Sequence, residues 1–243
     1  MVSNTTADEY CAMVERSKDY IRAGDIFQVV LSQRYELQLE ADPFDMYRVL
    51  RQVNPSPYMY FLRHPGVTIV GSSPEPMVQL LGGRVISRPI AGTRKRGTND
   101  EHDRRLAAEL RENPKEVAEH VMLVDLARND LSRHGSQVKV ETYREVQFFS
   151  HVIHLVSKVT GQKYKETTTM QVVADTFPAG TLSGAPKHKA MQLIEKYEKT
   201  SRDFYGGAIG FMDFEGNFNH AIIIRSFLSK NHRLHYQAGA GIV

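Results

Sequence analysis

The period of the apolar positions changes several times along this chain, and each change marks an element. Tyr10, Val14, Ser17 and Ile21 recur at helical spacing within Thr6 to Ala23, and Gly24 supplies a stop. Ile26 to Leu39 reads as a strand whose apolar start is interrupted by Gln28. Asp42-Pro43 caps a helix running to about Gln52, and Pro55 and Pro57 break the chain before the strand Tyr58–Arg63. Val67–Val70 pairs back on it. Pro76–Leu81 and Arg84–Pro89 then flank Gly82-Gly83, a strong hairpin signal.

Glu101–Arg111 is predicted as an exposed helix, charged on most faces. At Asn113-Pro114-Lys115-Glu116 an N-cap, a first-turn proline and a glutamate at the third position agree on another helix start. Val117, Val121 and Val124 are its expected buried stripe. Glu116 and Glu119, three residues apart, share a second face with His120 and Leu123. Val138–Thr142 and Phe149–Val159 read as strands, with His151 and His154 on opposite faces of the latter. Thr168–Thr176 and Pro186 to about Lys199 read as helices joined by the glycine-rich stretch Phe177–Lys187. The chain ends in an expected meander of three strands, Gly206–Asp213, His220–Leu228 and Arg233–Gln237.

Three places in this pattern carry chemistry. The middle strand of the meander is apolar on both faces yet contains Arg225, and a buried guanidinium without an anionic partner costs several kcal/mol, roughly the penalty per buried ion. Gly239-Ala240-Gly241 follows the third strand, where small residues let backbone N–H groups approach an anion. Together these predict a carboxylate site. Glu116 and Glu119 on one helix face repel each other unless a cation lies between them or one is protonated, and oxygen ligands without cysteine or a clear histidine pair suit Mg²⁺ rather than Zn²⁺. Glu75 sits where a strand gives way to a loop, which locally reads as a solvated turn. The basic run Arg94-Lys95-Arg96 is either a solvated turn or a rim that steers anions.

Composition narrows the class. The 243 residues are 41% hydrophobic and 24% charged, as in an ordinary globular domain, and are expected to form one compact domain spanning 1–243. A formal charge of +3, with cations and anions interspersed, does not point to nucleic acid. No apolar run is long enough to span a bilayer, so no membrane partner is expected. The single cysteine, Cys11, excludes an intrachain disulfide and suits a reducing cytoplasm; Asp8, Glu9 and Glu15 around it disfavour a nucleophilic thiolate.

Nine stretches in order resemble the chorismate-utilising enzymes, most closely the component I family of anthranilate synthases. They are GDIFQVVLSQR (Gly24–Arg34), NPSPYMYF (Asn54–Phe61), GSSPE (Gly71–Glu75), PIAGTRKRG (Pro89–Gly97), EHVMLVDLARNDL (Glu119–Leu131), FPAGTLSGAPK (Phe177–Lys187), YGGAIGF (Tyr205–Phe211), AIIIRS (Ala221–Ser226) and QAGAG (Gln237–Gly241). The resemblance implies an α+β fold of two packed antiparallel β-sheets with helices outside. It also implies Mg²⁺-dependent amination of chorismate at C2, then loss of pyruvate to give anthranilate, with ammonia supplied by a glutamine amidotransferase subunit, component II, in a heterotetramer.

By resemblance, Arg225, Tyr205 and the amides of Gly239, Ala240 and Gly241 hold a carboxylate, and Gly92, Thr93 and Thr181 line the pocket. Glu119 is a Mg²⁺ ligand with Glu116 close by, Glu75 is the general acid at the C4 hydroxyl, and His154 lies near the reacting ring. Gln28 stands where isochorismate-forming relatives have a lysine that activates water, and Ala91 where aminodeoxychorismate-forming relatives have a nucleophilic lysine. Gln28 cannot act as that base, which favours ammonia as the nucleophile at C2, and Ala91 argues against the alternative of an aminodeoxychorismate synthase component I. Pro57, Tyr58 and Met59 match one wall of the family's tryptophan feedback site. The chain lacks counterparts to the family's N-terminal portion and C-terminal end, including a second metal-binding glutamate. It is therefore expected to bind and turn over chorismate poorly, and the alternative non-catalytic role is docking of the glutaminase subunit.

Overall fold

The computed structural model describes residues 1–243. In chain order its first elements are β1 (Val2–Ser3), α1 (Ala7–Arg22), β2 (Gln28–Gln38), α2 (Pro43–Val53), β3 (Tyr58–His64), β4 (Val67–Ser73), β5 (Pro76–Leu81), β6 (Arg84–Ser87) and β7 (Ile90–Lys95). Then come α3 (Asp100–Glu112), α4 (Pro114–Ser132), β8 (Gly135–Phe148), β9 (Val152–Lys163), α5 (Thr169–Thr176), α6 (Gly180–Ser183), β10 (Gly184–Ala185) and α7 (Lys187–Tyr197). The last four are β11 (Ala208–Met212), β12 (Phe218–Ile222), β13 (Ser226–Lys230) and β14 (Arg233–Ile242). Two seven-stranded antiparallel sheets result, ordered β1-β2-β14-β13-β4-β3 with β10 on β2, and β11-β12-β5-β6-β9-β7 with β8 on β9. The chain is an α+β protein, as expected.

Two compact units account for it: Met1–Glu75 with Pro178–Ile209 and Ala221–Val243, and Pro76–Phe177 with Gly210–His220. In unit one, α1 and α7 cover β2 and the end of β14 through Met13, Ile26, Val29, Leu31, Ala190, Leu193 and Ile242. Helix α1 starts where the sequence signals it: Thr6 accepts from the Glu9 amide and the Glu9 carboxylate accepts from the Thr6 amide. In unit two, α4 and α5 lie on the sheet through Val78, Leu80, Val85, Val124, Ala127, Leu131, Val159 and Val172. The Asn113 side chain caps α4 by accepting from the Glu116 amide at 3.1 Å. No helix is long and apolar enough to cross a membrane.

Five expectations are corrected. The run His220–Leu228 is not one strand: β12 ends at Ile222 in the second sheet, and β13 starts at Ser226 in the first. Arg225 stands at the break with φ 51° and is exposed, so it is not the buried mid-strand guanidinium that the apolar pattern implied. Hydrophobic runs report burial, and Ala221, Ile222 and Ile223 are buried, but such runs carry no sign of a backbone break. Gly239-Ala240-Gly241 does not follow a strand; it lies within β14, registered against Ser32, Leu31 and Val30 of β2.

On α4 the buried stripe is His120, Leu123, Val124, Ala127 and Leu131, whereas Val117 and Val121 remain partly exposed. The helix turns the Leu123 side to the core, the face that also bears Glu116 and Glu119. The last correction concerns the paired strands of unit two: the second begins only at Val152, leaving His151 in an exposed bend before it, while the first extends through Phe148.

Candidate active site

Unit one gathers Glu75, Thr181 and Arg225. Glu75 follows β4, and its carbonyl accepts from the Ile222 amide at 3.0 Å, which ties the strand end to the start of the Ile-rich break. It is not a solvated turn residue. Burial pushes its carboxyl up to about 7, against partial relief from the neighbouring Thr181 hydroxyl and the Arg225 guanidinium. A carboxyl titrating there is partly protonated at neutral pH and can donate a proton to a leaving oxygen. The Thr181 Oγ1 is itself buried and makes no well-formed hydrogen bond elsewhere.

Tyr205, Gln28, Gly239 and Gly241 form a second group in this unit. A Cβ on Gly239 would lie 3.0 Å from the Tyr205 Oη, and one on Gly241 would lie 3.0 Å from the Gln28 Nε2. The glycines are therefore small so that these two side chains can approach the strand, rather than to form an anion-binding turn. The Gly239 amide hydrogen-bonds the Tyr205 hydroxyl, whose own proton is held up to about 12 chiefly by burial. Gln28 is 4% exposed, with its Oε1 buried and unpartnered. Ala240 alternates to the other face of β14. Pro57 immediately precedes the edge strand β3, which Tyr58 and Met59 open in register with Ser73 and Ser72.

Unit two gathers Gly92, Thr93, His154, Glu116 and Glu119. Gly92 adopts φ 75° at the bulge where β7 shifts register on β9, and a Cβ there would meet Leu110 Cδ1 at 3.1 Å and Glu116 Oε2 at 3.4 Å. His154 Nδ1 lies 3.1 Å from both the Gly92 carbonyl and the Thr93 hydroxyl. Donation to that carbonyl places the proton on Nδ1, which makes Nε2 the basic nitrogen of the neutral ring. Phe149 stands edge-on to the ring at 5.5 Å.

Glu119 is half-buried, and its carboxyl is raised first by burial and then by the Glu116 charge. Glu116 in turn accepts from Arg94 Nη1 at 2.9 Å, and the same guanidinium reaches Glu109 at 3.0 Å. The basic run is thus neither a free turn nor an open rim, since Arg94 and Arg96 are each ion-paired, the latter to Asp103 at 2.6 Å. Arg94 is a participant that sequence reasoning missed, although a strand arginine opposite a carboxylate-rich helix was its available signal. His120, fully buried beside the acid pair, was also missed; its Nε2 lies 2.7 Å from Ser157 Oγ, and burial lowers its basicity.

Unit one thus holds a carboxyl raised by burial beside a guanidinium, and unit two holds a close pair of carboxylates. The family model of chorismate binding enzymes matches residues 1–243 in full, and the chain belongs to that family. It is 53% identical over 233 residues to anthranilate synthase component 1 of Bacillus pumilus, covering 95% of this chain and 45% of that protein. The Aquifex aeolicus (strain VF5) anthranilate synthase component 1 is 48% identical over 243 residues, or 99% of this chain and 49% of its own length. Among solved structures, anthranilate synthase component I from Streptococcus pneumoniae TIGR4 superposes with a TM-score of 0.93 at 44% identity, over 100% of this chain and 54% of that one. The chain spans about half the length of the curated relatives it matches.

Proposed function

We propose that this chain is the chorismate-handling part of an anthranilate synthase component 1, working with ammonia from a component II glutaminase subunit in the first step of tryptophan synthesis. The observation that carries the reading is Glu75. A buried carboxyl held at about 7 beside a guanidinium is what protonation of the C4 hydroxyl of a carboxylated substrate requires. Arg225 is assigned to a substrate carboxylate, and its exposure suits a cation that waits for an anion. Tyr205, Thr181, Gly239, Ala240 and Gly241 are proposed as further substrate contacts in unit one, and Gly92 and Thr93 as substrate contacts in unit two.

Magnesium fits the residues present. Glu119 offers a half-buried carboxylate with no resident cation pair strong enough to lower its pKa, beside a second carboxylate on Glu116. Hard oxygen donors of this kind, one or two carboxylates to be completed by substrate and water, suit Mg²⁺. Bound there, the ion would supply Lewis-acid polarisation of a substrate carboxylate. The remaining roles fall to the chain's own groups: Arg94 restrains Glu116, His154 offers Nε2 as an acceptor near the ring, and Gln28, which cannot act as a base, leaves ammonia as the nucleophile. Pro57, Tyr58 and Met59 are proposed as part of a tryptophan feedback site.

Incubation with chorismate, Mg²⁺ and ammonium, followed by anthranilate fluorescence, tests the reaction, and calorimetry with chorismate and Mg²⁺ tests the site. Mg²⁺-dependent chorismate binding is expected. Absence of both binding and fluorescence would sink the proposal.

A further inference from the structure

Unit one contains an ion pair for which the reaction just described has no use. Glu198 follows α7, and Arg202 lies four residues on, with side chains 5% and 18% exposed. Glu198 Oε1 accepts from the Ser32 amide and hydroxyl, both at 2.8 Å, and from Arg202 Nη2 at 2.6 Å. Its Oε2 accepts from Arg202 Nε at 2.9 Å. The guanidinium then reaches two backbone carbonyls, Leu182 at 2.6 Å through Nη1 and Val30 at 2.7 Å through Nη2. Its Cζ lies 5.7 Å from the centroid of the Tyr205 ring, and the Tyr205 amide donates to the Arg202 carbonyl at 2.9 Å.

The targets are informative. Leu182 is the neighbour of Thr181, and Val30 stands two residues beyond Gln28 on the same face of β2. One guanidinium therefore touches the segments that carry Thr181, Gln28 and Tyr205. A buried ion pair is by itself weak evidence for stability, because an apolar replacement of similar shape often serves as well. What arginine supplies that an apolar side chain or a lysine cannot is a planar fork of donors in fixed directions. Here the fork is spent on joining three separate backbone segments.

We propose that Arg202, held in plane by Glu198, is a positioning residue for the reaction, fixing Thr181 beside Glu75 and Tyr205 beside Gly239. The inference rests on the function proposed above.

The test is Arg202→Lys, which keeps the charge but cannot reach Glu198, Leu182 and Val30 together. Loss of a charged hydrogen bond at this level predicts a rise of about tenfold in KM for chorismate, with kcat at pH 7 changed by less than about threefold. The alkaline limb of the kcat profile should also move upward, because a displaced Thr181 no longer pulls the Glu75 carboxyl down. Glu198→Gln should shift both readouts the same way by less, and serves if the lysine variant does not fold. Unchanged KM and an unchanged limb in a folded variant overturn the proposal. So does failure of both variants to fold, which would make the pair purely structural. Should the wild-type chain neither bind nor convert chorismate, the functional reading falls. The clamp is then read from the Glu75 carboxyl by ¹³C NMR: a higher titration midpoint in Arg202→Lys supports it, and an unmoved one refutes it.

Discussion

Two glutamates, one in each unit, have their carboxyls raised by burial, and they differ in what stands next to them. Glu75 has a hydroxyl and a guanidinium for neighbours; Glu119 has another carboxylate. Both environments disfavour the bare anion, but they relieve it differently. Beside Thr181 and Arg225 the surplus is removed by holding a proton, which is the basis of the general-acid role proposed for Glu75. Beside Glu116 the repulsion persists as long as both groups are ionised, and a divalent cation removes it from both at once. Desolvation alone does not distinguish an acid from a metal ligand; the sign of the nearest other charge does.

The largest expected effect separates these roles. Glu75→Gln keeps shape and hydrogen bonding but has no proton to give. It should lower kcat for ammonium-dependent anthranilate formation by about 10²–10⁴-fold, the usual worth of general acid catalysis, with little change in KM. Its Mg²⁺ affinity in calorimetry should match wild type. Equal weakening of Mg²⁺ binding by this variant and by a Glu119 variant would erase the distinction between the two sites.

Glu119→Gln is the reciprocal case. Removing a direct ligand should weaken Mg²⁺ by at least the 10–100-fold that losing an outer partner costs a metal site. Chorismate binding in the absence of metal should change far less. Arg94→Gln sharpens the point: with its cation gone, Glu116 repels Glu119 more strongly in the empty protein, so Mg²⁺ should bind severalfold tighter. Weaker binding in that variant would show that Arg94 serves to orient Glu116 and not to offset its charge.

Much of the framework was legible because it is set by local chemistry. The Thr6 and Asn113 caps, the Gly82-Gly83 turn and the alternation of strands are short-range signals, and the expected helices stand within a residue or two of their predicted ends, whereas strands β8, β9 and β14 run well past theirs. What was not legible depends on partners far along the chain. The Ile-rich run looks uniform, yet the chain breaks at Arg225 because β12 and β13 join different sheets. Gly239 and Gly241 look like a loop until Tyr205 and Gln28, distant in sequence, are seen to need the space. Glu75 reads as a surface turn residue for the same reason, since the groups that bury it lie more than a hundred positions away. The acid pair on α4 was visible as a pair, whereas the Arg94 restraint was not.

The smallest expected effect is on stability, and its sign differs between the units. Glu75 moves from its usual 4.5 to about 7, so between those values the folded protein holds more proton than the unfolded one. Its contribution is complete below about 4.5 and is lost as the pH rises toward 7. His220, fully buried in unit two, is pushed by burial from 6.5 to about 4. Its contribution is complete above about 6.5 and is lost as the pH falls toward 4. Across the shared window the slopes oppose, each at most about 1.4 kcal/mol per pH unit, so a single unfolding transition of the wild-type chain should change little there. Glu75→Gln deletes one slope. Its urea midpoint should rise from pH 4.5 to 6.5, and above pH 7 the variant should be more stable than wild type even as its activity is lost. A midpoint that stays flat over that window would mean that His220 is not held neutral by the fold. Separate transitions for the two units would show the slopes one by one, with the falling one in unit one and the rising one in unit two.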